Sequence, residues 1–318
     1  MKLQDFDLTS DVHHRLAAAL WTAACGPELA ISPHLVAFNT RPVTGATQAG
    51  QLALRDGEPV GFVLTSALRT ATDESGWIDA LAVRPDAQGQ GIGSALLAWA
   101  EEWLRAQGSR RVTLGGSLRP FVPGLPASAG DAVRTFFQHR GYAQEGAVWD
   151  VARDLADYLP APGVPTDVAL RPVRAGEEAL LLDFLAREFP GRWHFEAQEF
   201  LREGGRPDDW LLLWPSHGEA PLGFCQITLE DSLRPMERFY PQQLPRPWGQ
   251  YGPLGVAQAA RGRGYGAAIV DGAARHLRAL GVRGCVIDWT DLVAFYGQFG
   301  FKPYRQYLML AKTLVTGG

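Results

Sequence analysis

Arg261-Gly262-Arg263-Gly264-Tyr265-Gly266 and Gln88-Gly89-Gln90-Gly91-Ile92-Gly93 are two copies of one pattern, 173 residues apart. Each hexad stands between an apolar, strand-like run and an amphipathic stretch of helical period. One glycine cluster marks little more than a turn. Two in the same setting indicate a duplicated unit that presents backbone amides to an anion, which points to a phosphate-bearing ligand.

The spacing extends beyond the hexads. Leu81-Ala82-Val83 precedes Leu254-Gly255-Val256 by the same 173 positions, and Leu104–Gly108 precedes Leu277–Gly281 likewise. A repeat of this length is a domain, since solenoid units run about 20–50 residues. In a chain of 318 residues it predicts two domains, 1–159 and 167–318. Pro160, Pro162, Gly163 and Pro165 form the stiff stretch between them.

Within the first copy, Ser10 reads as an N-cap of a helix through Leu16 and Leu20, and a less regular stretch follows to Gly50. Residues 51–55 and 60–67 read as a hairpin across Asp56-Gly57, then 77–83 as a strand before the first hexad. Ile92, Leu96, Trp99, Ala100, Trp103 and Leu104 keep a helical period, and strand 112–114, helix 131–139 and strand 145–151 complete the copy. The second repeats the plan, with strands at 168–172, 210–214, 222–228, 252–256, 285–289 and 306–311 and helices at 175–188, after Gly266, and at 291–299. Strands interrupted by helices of this length predict an α/β (α+β) fold with a mixed sheet.

Composition excludes several classes. Thirty basic and 34 acidic residues give a net charge of −4, which offers no polycationic surface for nucleic acid. Cys25, Cys225 and Cys285 are far apart, and no His/Cys/Asp cluster has metal-ligand spacing, so neither a disulfide framework nor a metal is expected. No apolar run approaches the roughly 18 residues of a membrane span. Asp5, Asp7 and Asp11 are unlike a signal peptide, and a soluble, cytoplasmic protein, monomer or homodimer, is expected.

Neither hexad is a Walker loop or a dinucleotide fingerprint, because no Gly-Lys-Ser/Thr follows and the glycines recur at every second position. The remaining pattern is Gln/Arg-x-x-Gly-x-Gly after an apolar strand ending in Val plus four residues. In this, and in Phe295-Tyr296-Gly297-Gln298-Phe299-Gly300-Phe301, the chain resembles the GCN5-related N-acetyltransferase (GNAT) superfamily in a tandem two-domain form. The resemblance implies acetyl-CoA held between splayed fourth and fifth strands. Leu81, Ala82 and Val83 or Leu254, Gly255 and Val256 would pair with its pantetheine arm, and Gln88, Gly89, Gln90, Gly91, Ile92 and Gly93 or Arg261, Gly262, Arg263, Gly264, Tyr265 and Gly266 with its pyrophosphate. Charge-assisted contacts from Arg261 and Arg263 predict tighter binding in the second copy than Gln88 and Gln90 provide.

The copies also differ where chemistry is expected. The resemblance implies a tyrosine that protonates the departing thiolate; Tyr296 stands at that place, whereas the first copy has Phe137. Tyr296 is thus either the proton donor or an aromatic core residue. Asp288, Trp289 and Thr290 are candidates to hold a cationic amine or sugar ring of a small-molecule acceptor, with Asp288 alternatively a cap or an arginine partner; the 173 offset puts Gly115 and Gly116 opposite the first two. Glu230 and Asp231 are lesser base candidates, Asp79 reads as structural, and His194 and His217 as surface or core. The second copy is therefore expected to be catalytic, and an amino sugar is the favoured acceptor from resemblance to glucosaminide acetyltransferases. Other amines, including a mycothiol precursor, an aminoglycoside or a peptide N-terminus, and a CoA-binding regulator without turnover, remain open. An extra 14 residues within 115–130 of the first copy read as a surface excursion, a lid or interdomain packing.

Overall fold

The structure, a computed structural model, describes residues 1–69, 74–236 and 244–314. In chain order the first copy contains β1 (Lys2–Asp5), α1 (Asp11–Cys25), α2 (Pro33–Asn39), β2 (Ala46–Arg55), β3 (Glu58–Arg69), β4 (Glu74–Val83), α3 (Ile92–Ala106), β5 (Arg111–Leu114), β6 (Leu125–Pro126), α4 (Asp131–Gln138) and β7 (Ala143–Asp154). The second contains β8 (Val168–Pro172), α5 (Glu178–Glu188), α6 (Arg192–Arg202), β9 (Trp210–Pro215), β10 (Gly223–Leu229), β11 (Trp248–Val256), α7 (Tyr265–Ala279), β12 (Gly284–Thr290), α8 (Val293–Gly297) and β13 (Lys302–Thr313).

Compactness divides the chain differently from the repeat. Unit 1 is Met1–Val148 with Arg305–Gly318, and unit 2 is Trp149–Tyr304. The proline-rich stretch thus lies inside unit 2, because strands cross over between the copies. Unit 1 has the sheet order β1-β2-β3-β4-β5-β13, antiparallel except for β4–β5. Unit 2 has the order β8-β9-β10-β11-β12-β7, antiparallel except for β11–β12. Each sheet is completed by a strand from the other copy.

Helix placement follows from apolar stripes. In unit 1, Ile92, Leu96, Leu97, Ala100 and Leu104 of α3 pack on Val63, Val112 and Leu114 of one sheet face. Ala17, Leu20 and Trp21 of α1, with Leu35 and Val36 of α2, cover Leu52, Phe62 and Leu64 on the other. Two N-caps set these starts: Ser10 accepts from the His13 N–H, and Ser32 from that of Leu35 at 3.0 Å. In unit 2, Ile269, Ala273 and Leu277 of α7 join Leu181, Phe184 and Leu185 of α5 and Phe200 of α6 in one core. Helices α2 and α6 lie outside the helices expected from sequence: α2 has only seven residues, and α6 buries only Ala197 and Phe200, although Trp193, Ala197, Phe200 and Leu201 do recur at helical spacing.

The 14-residue insertion is not a surface excursion. Phe121 and Val122 are buried with Trp21, Phe62 and Ala80 in the core of unit 1, and β6 pairs with Tyr307 and Leu308 of β13.

Candidate active site

In unit 2, β11 and β12 pair in parallel only at Trp248, Gly249 and Gln250, opposite Gly284, Cys285 and Val286. Beyond Gln250 they diverge, which leaves the β12-facing edge of residues 251–256 without ladder partners. The cause lies partly on the other side of β11: Gly252 and Pro253 together oppose Gln226 of β10, a bulge that turns the strand. Leu254 and Val256 are half-buried along this edge. Gly255 is explained by packing, since a side chain there would meet the Phe189 ring at 2.7 Å.

The hexad follows. Gly262 and Gly264 are both in the left-handed region (φ 78° each), and Gly264 caps α7. This conformation favours glycine, and it turns the N–H groups of residues 262–266 away from the chain's own carbonyls: among the described residues none of the five has a backbone acceptor. The loop is therefore a concave set of donors at a helix N-terminus, the arrangement a pyrophosphate requires. Arg261 donates through Nε to the Val256 carbonyl at 3.2 Å, and Arg263 is exposed. Neither forms an ion pair among the described residues. The Tyr265 side chain is buried, and its hydroxyl donates to Asp167 at 2.9 Å.

Unit 1 reproduces this backbone. Gly89 (φ 73°) and Gly91 (φ 82°) are left-handed, Gly91 caps α3, and Ile92 is buried. The Gln88 amide donates to the Val83 carbonyl at 2.9 Å, the same brace that Arg261 provides. β4 leaves β5 after Ile78, beyond which Leu81, Ala82 and Val83 run along an open edge. The electrostatics differ. Arg55 donates to Gln90 at 2.8 Å, but Arg55 and Arg84 both face Asp86, at 3.7 and 2.6 Å. The second loop has Ala259 at the Asp86 position and no such counter-charge.

Below the loop, Phe295 lies 3.8 Å from the side-chain position of Gly266, as Phe136 lies 3.5 Å from that of Gly93. The next residue in each helix is Tyr296 and Phe137, respectively, and both side chains are buried. Burial pushes the Tyr296 hydroxyl well above its ordinary pKa, and the nearby Cys225, Asp288 and Asp291 add to the rise. Tyr296 thus stays protonated at neutral pH and lies within electrostatic reach of Asp288.

Asp288 is half-buried at the mouth of the splay and accepts from Gln250 Nε2 at 2.6 Å. Trp289 is half-buried too, with the Arg192 guanidinium 4.8 Å from its ring centre and its N–H 3.2 Å from Asp150 Oδ1. Thr290 is buried, and its hydroxyl oxygen accepts from the Leu292 N–H at 2.9 Å, which ties it to the turn into α8. Glu230 and Asp231 are committed elsewhere. Glu230 takes both arms of Arg246, which holds its carboxyl below the usual range, and Arg206 does the same to Asp231.

In unit 1 the corresponding region is closed. Gly115 and Gly116 replace Asp288 and Trp289, Gly116 donates to the Val122 carbonyl, and Phe121 fills the adjoining core. Asp79 is buried there beside Ser66 (3.0 Å) and Ser117, and burial pushes its carboxyl up to about 6.

Sequence reasoning missed Asp150, Gln250 and Arg192. Gln250 carried a signal, as the polar side chain in an otherwise apolar, largely buried strand, whereas β7 around Asp150 also holds Gln144, Glu145, Arg153 and Asp154. Among the described residues no group of three His, Cys, Asp or Glu could hold a metal ion, and no helix is long and apolar enough to cross a membrane.

Two stretches, residues 19–119 and 179–301, match the acetyltransferase (GNAT) family. A mycothiol acetyltransferase of Parafrankia sp. is 29% identical over 250 residues, 70% of this chain and 72% of that protein. A protein of the same name from Frankia casuarinae is 27% identical over 92% of this chain and 81% of its own. Among solved structures, a GCN5-related glucosamine N-acetyltransferase region of a fungal multi-domain β-N-acetylglucosaminidase superposes on 98% of this chain with TM-score 0.86 and 25% identity; the chain spans 38% of that protein. A tandem GNAT protein of the clavulanic acid pathway shares the fold across the full length, with TM-score 0.70 and 18% identity.

Proposed function

The chain belongs to the GNAT acetyltransferase family, and from that premise we propose that unit 2 transfers acetyl from acetyl-CoA to the primary amine of a small molecule, foremost an amino sugar. The observation that carries the proposal is the asymmetry of the units. Both have the anion-binding loop and the splay, but only unit 2 adds a tyrosine hydroxyl, Tyr296, and a half-buried carboxylate, Asp288, where unit 1 has Phe137 and Gly115.

Acetyl-CoA would supply an activated acetyl thioester. The N–H groups of residues 262–266 and the guanidinium groups of Arg261 and Arg263 would hold its pyrophosphate, and the open edge of residues 254–256 its pantetheine arm. Unit 1 offers the same backbone groups at residues 81–83 and 88–93. Asp288, oriented by Gln250, draws in the ammonium form of the acceptor and takes up its proton. Trp289 supplies an apolar plane for a sugar ring. Tyr296 donates a hydrogen bond to the sulfur as negative charge develops. Its raised pKa makes complete transfer to a thiolate of ordinary basicity uphill, so stabilisation of developing charge is its main contribution.

The amino-sugar reading draws on the glucosamine N-acetyltransferase region that this chain superposes on. A mycothiol-precursor amine is the second reading, supported by the names of curated relatives 27–29% identical to this chain. Steady release of CoA thiol, measured with glucosamine, a mycothiol-precursor amine, an aminoglycoside and a peptide N-terminus, ranks them. A preference for glucosamine is expected. A mycothiol-precursor amine turned over at least about tenfold faster transfers the proposal to the second reading. No release with any amine favours a CoA-binding regulator.

A further inference from the structure

Trp289 is one of two non-glycine residues with positive φ among the described residues, at 54°. The other, Asp56, precedes Gly57 in a hairpin turn, where that conformation is ordinary. Trp289 lies inside a strand, where a bulky residue in the left-handed region is an outlier and strained.

The ladder shows why the backbone takes this shape. β12 pairs with β7 at Ile287–Val151 and again at Thr290–Trp149, so Asp288 and Trp289 together face the single residue Asp150. This is a bulge, and it removes the ladder acceptor from the Trp289 N–H. Asp150, 1% exposed, supplies a side-chain acceptor in its place, with Oδ1 3.2 Å from that nitrogen.

Unit 1 has the same position with other residues. Thr113 pairs with Ala311 there as Val286 pairs with Ala152 in unit 2. The register therefore sets Gly116 against Trp289 and Met309 against Asp150. Gly116 is also left-handed, with φ 71°. One unit thus meets the conformation with glycine, whose N–H donates to the Val122 carbonyl, and the other with tryptophan, whose N–H donates to a buried carboxylate. A tryptophan kept at a glycine-type position, with a dedicated acceptor for its N–H, has its side chain aimed by the backbone.

We infer that Asp150 is a positioning residue for acceptor specificity: it holds Trp289 left-handed, so that the indole, backed by Arg192 on one face, offers the other to the acceptor. Asp150 belongs by sequence to the first copy, so the acceptor wall of unit 2 is completed by the crossed-over strand. The inference rests on the proposed acceptor site at Trp289.

Two measurements test it, one of them independent of activity. In the full chain, Asp150→Met is expected to raise the amine KM at least about tenfold while the acetyl-CoA KM stays within about twofold, and Asp150→Asn, which retains an acceptor oxygen, to bring the amine KM back to within about threefold of wild type. In thermal unfolding, Asp150→Met is expected to lower Tm by at least about 3 °C more beside Trp289 than in a Trp289→Gly chain, because glycine needs no support at positive φ. Equal Tm losses in the two backgrounds overturn the inference, and so does an unchanged amine KM in Asp150→Met. If the wild-type chain acetylates no amine, the proposed function fails while the Tm comparison still decides whether Asp150 supports Trp289.

Discussion

The Gln250 side-chain amide donates to the Asp288 carboxylate at 2.6 Å, at the last rung where β11 and β12 pair. Gln250 is fully buried, and its own oxygen has no hydrogen-bond partner among the described residues. The unmet acceptor of this buried amide is offset by the charge-assisted bond that its NH2 makes. Gln250→Leu removes that bond and with it one constraint on the orientation of the Asp288 carboxylate. A hydrogen bond to a charged group contributes about 1.5–3 kcal/mol. The expected outcome is a 10–100-fold fall in kcat/KM for the amine with acetyl-CoA binding retained, measured by thiol release and CoA titration.

Tyr296→Phe removes only the hydroxyl from a buried ring that packs against Phe295 at 5.2 Å between centres. Folding should survive, since the aromatic contacts remain. kcat is expected to fall about 10²–10³-fold, the range for loss of a positioned hydrogen-bond donor to developing charge. Phe137→Tyr in unit 1 is expected to add no turnover, because Gly115 and Gly116 offer no acceptor groups there. Unchanged turnover in Tyr296→Phe would remove this residue from the chemistry.

Asp79 links unit 1 to pH. Its carboxyl rises from 3.8 to about 6, chiefly through burial and despite the bonds from Ser117 and Ser66. Below pH 3.8 it is protonated in both folded and unfolded chains and carries no cost. As pH rises toward 6 the unfolded chain ionises first, so stability falls; above about 6 the penalty, about 3 kcal/mol, is complete. Asp79→Asn keeps an acceptor for both serines and removes the charge. It should raise Tm by at least about 4 °C at pH 7.5 and hardly at all at pH 3.5, by calorimetry at both values.

The two anion loops differ in charge rather than in backbone. CoA titration of the full chain is expected to resolve two classes of site, with the tighter in unit 2. Arg261→Gln with Arg263→Gln gives that loop the neutral residues of unit 1 at both charged positions and should weaken the tighter class about tenfold. Added salt should act on the tighter class more strongly, because exposed charges are screened within about 10 Å at 0.1 M. A titration that places CoA in unit 1 alone reverses this order.

Much of this was legible in local pattern. The hexads, the 173-residue offset and the strands beside them are short-range features, and the strand at Val168–Pro172 agrees with the structure at both ends. The equivalence of Tyr296 and Phe137 was readable because α4 and α8 keep the Phe-Phe and Phe-Tyr pairs next to the loop. Helix α2 was not readable, since seven residues are too few to show a period; α6 was readable but missed, for Trp193, Ala197, Phe200 and Leu201 recur at helical spacing. The insertion stayed open between a surface excursion, a lid and packing because its prolines and glycines show no period, while its few apolar residues, Phe121, Val122 and Leu125, decide its place. Asp150 was out of reach. Its role depends on a bulge in β12 and on a strand crossing between copies, and both are set by pairing over about 140 residues of sequence rather than by local preference.

The crossed-over strand also predicts how the chain can be divided. A fragment cut at the proline-rich stretch, residues 167–318, contains β8 to β13 but lacks the residues 149–154 that pair with β12 from Gly284 to Thr290. It would expose the edge of β12, lose Val151 from the core and lose Asp150 beside Trp289. An unpaired, largely apolar edge is an aggregation site. A fragment of residues 149–304 keeps that pairing and matches the compact unit. Expressed side by side, the longer cut is expected to give a soluble, cooperatively unfolding protein that binds CoA. The 167–318 fragment should be recovered mostly aggregated, or with a Tm lower by at least about 5 °C. Equal stability of the two fragments would show that the strand from the first copy contributes little to unit 2, and would separate the acceptor wall from the crossover.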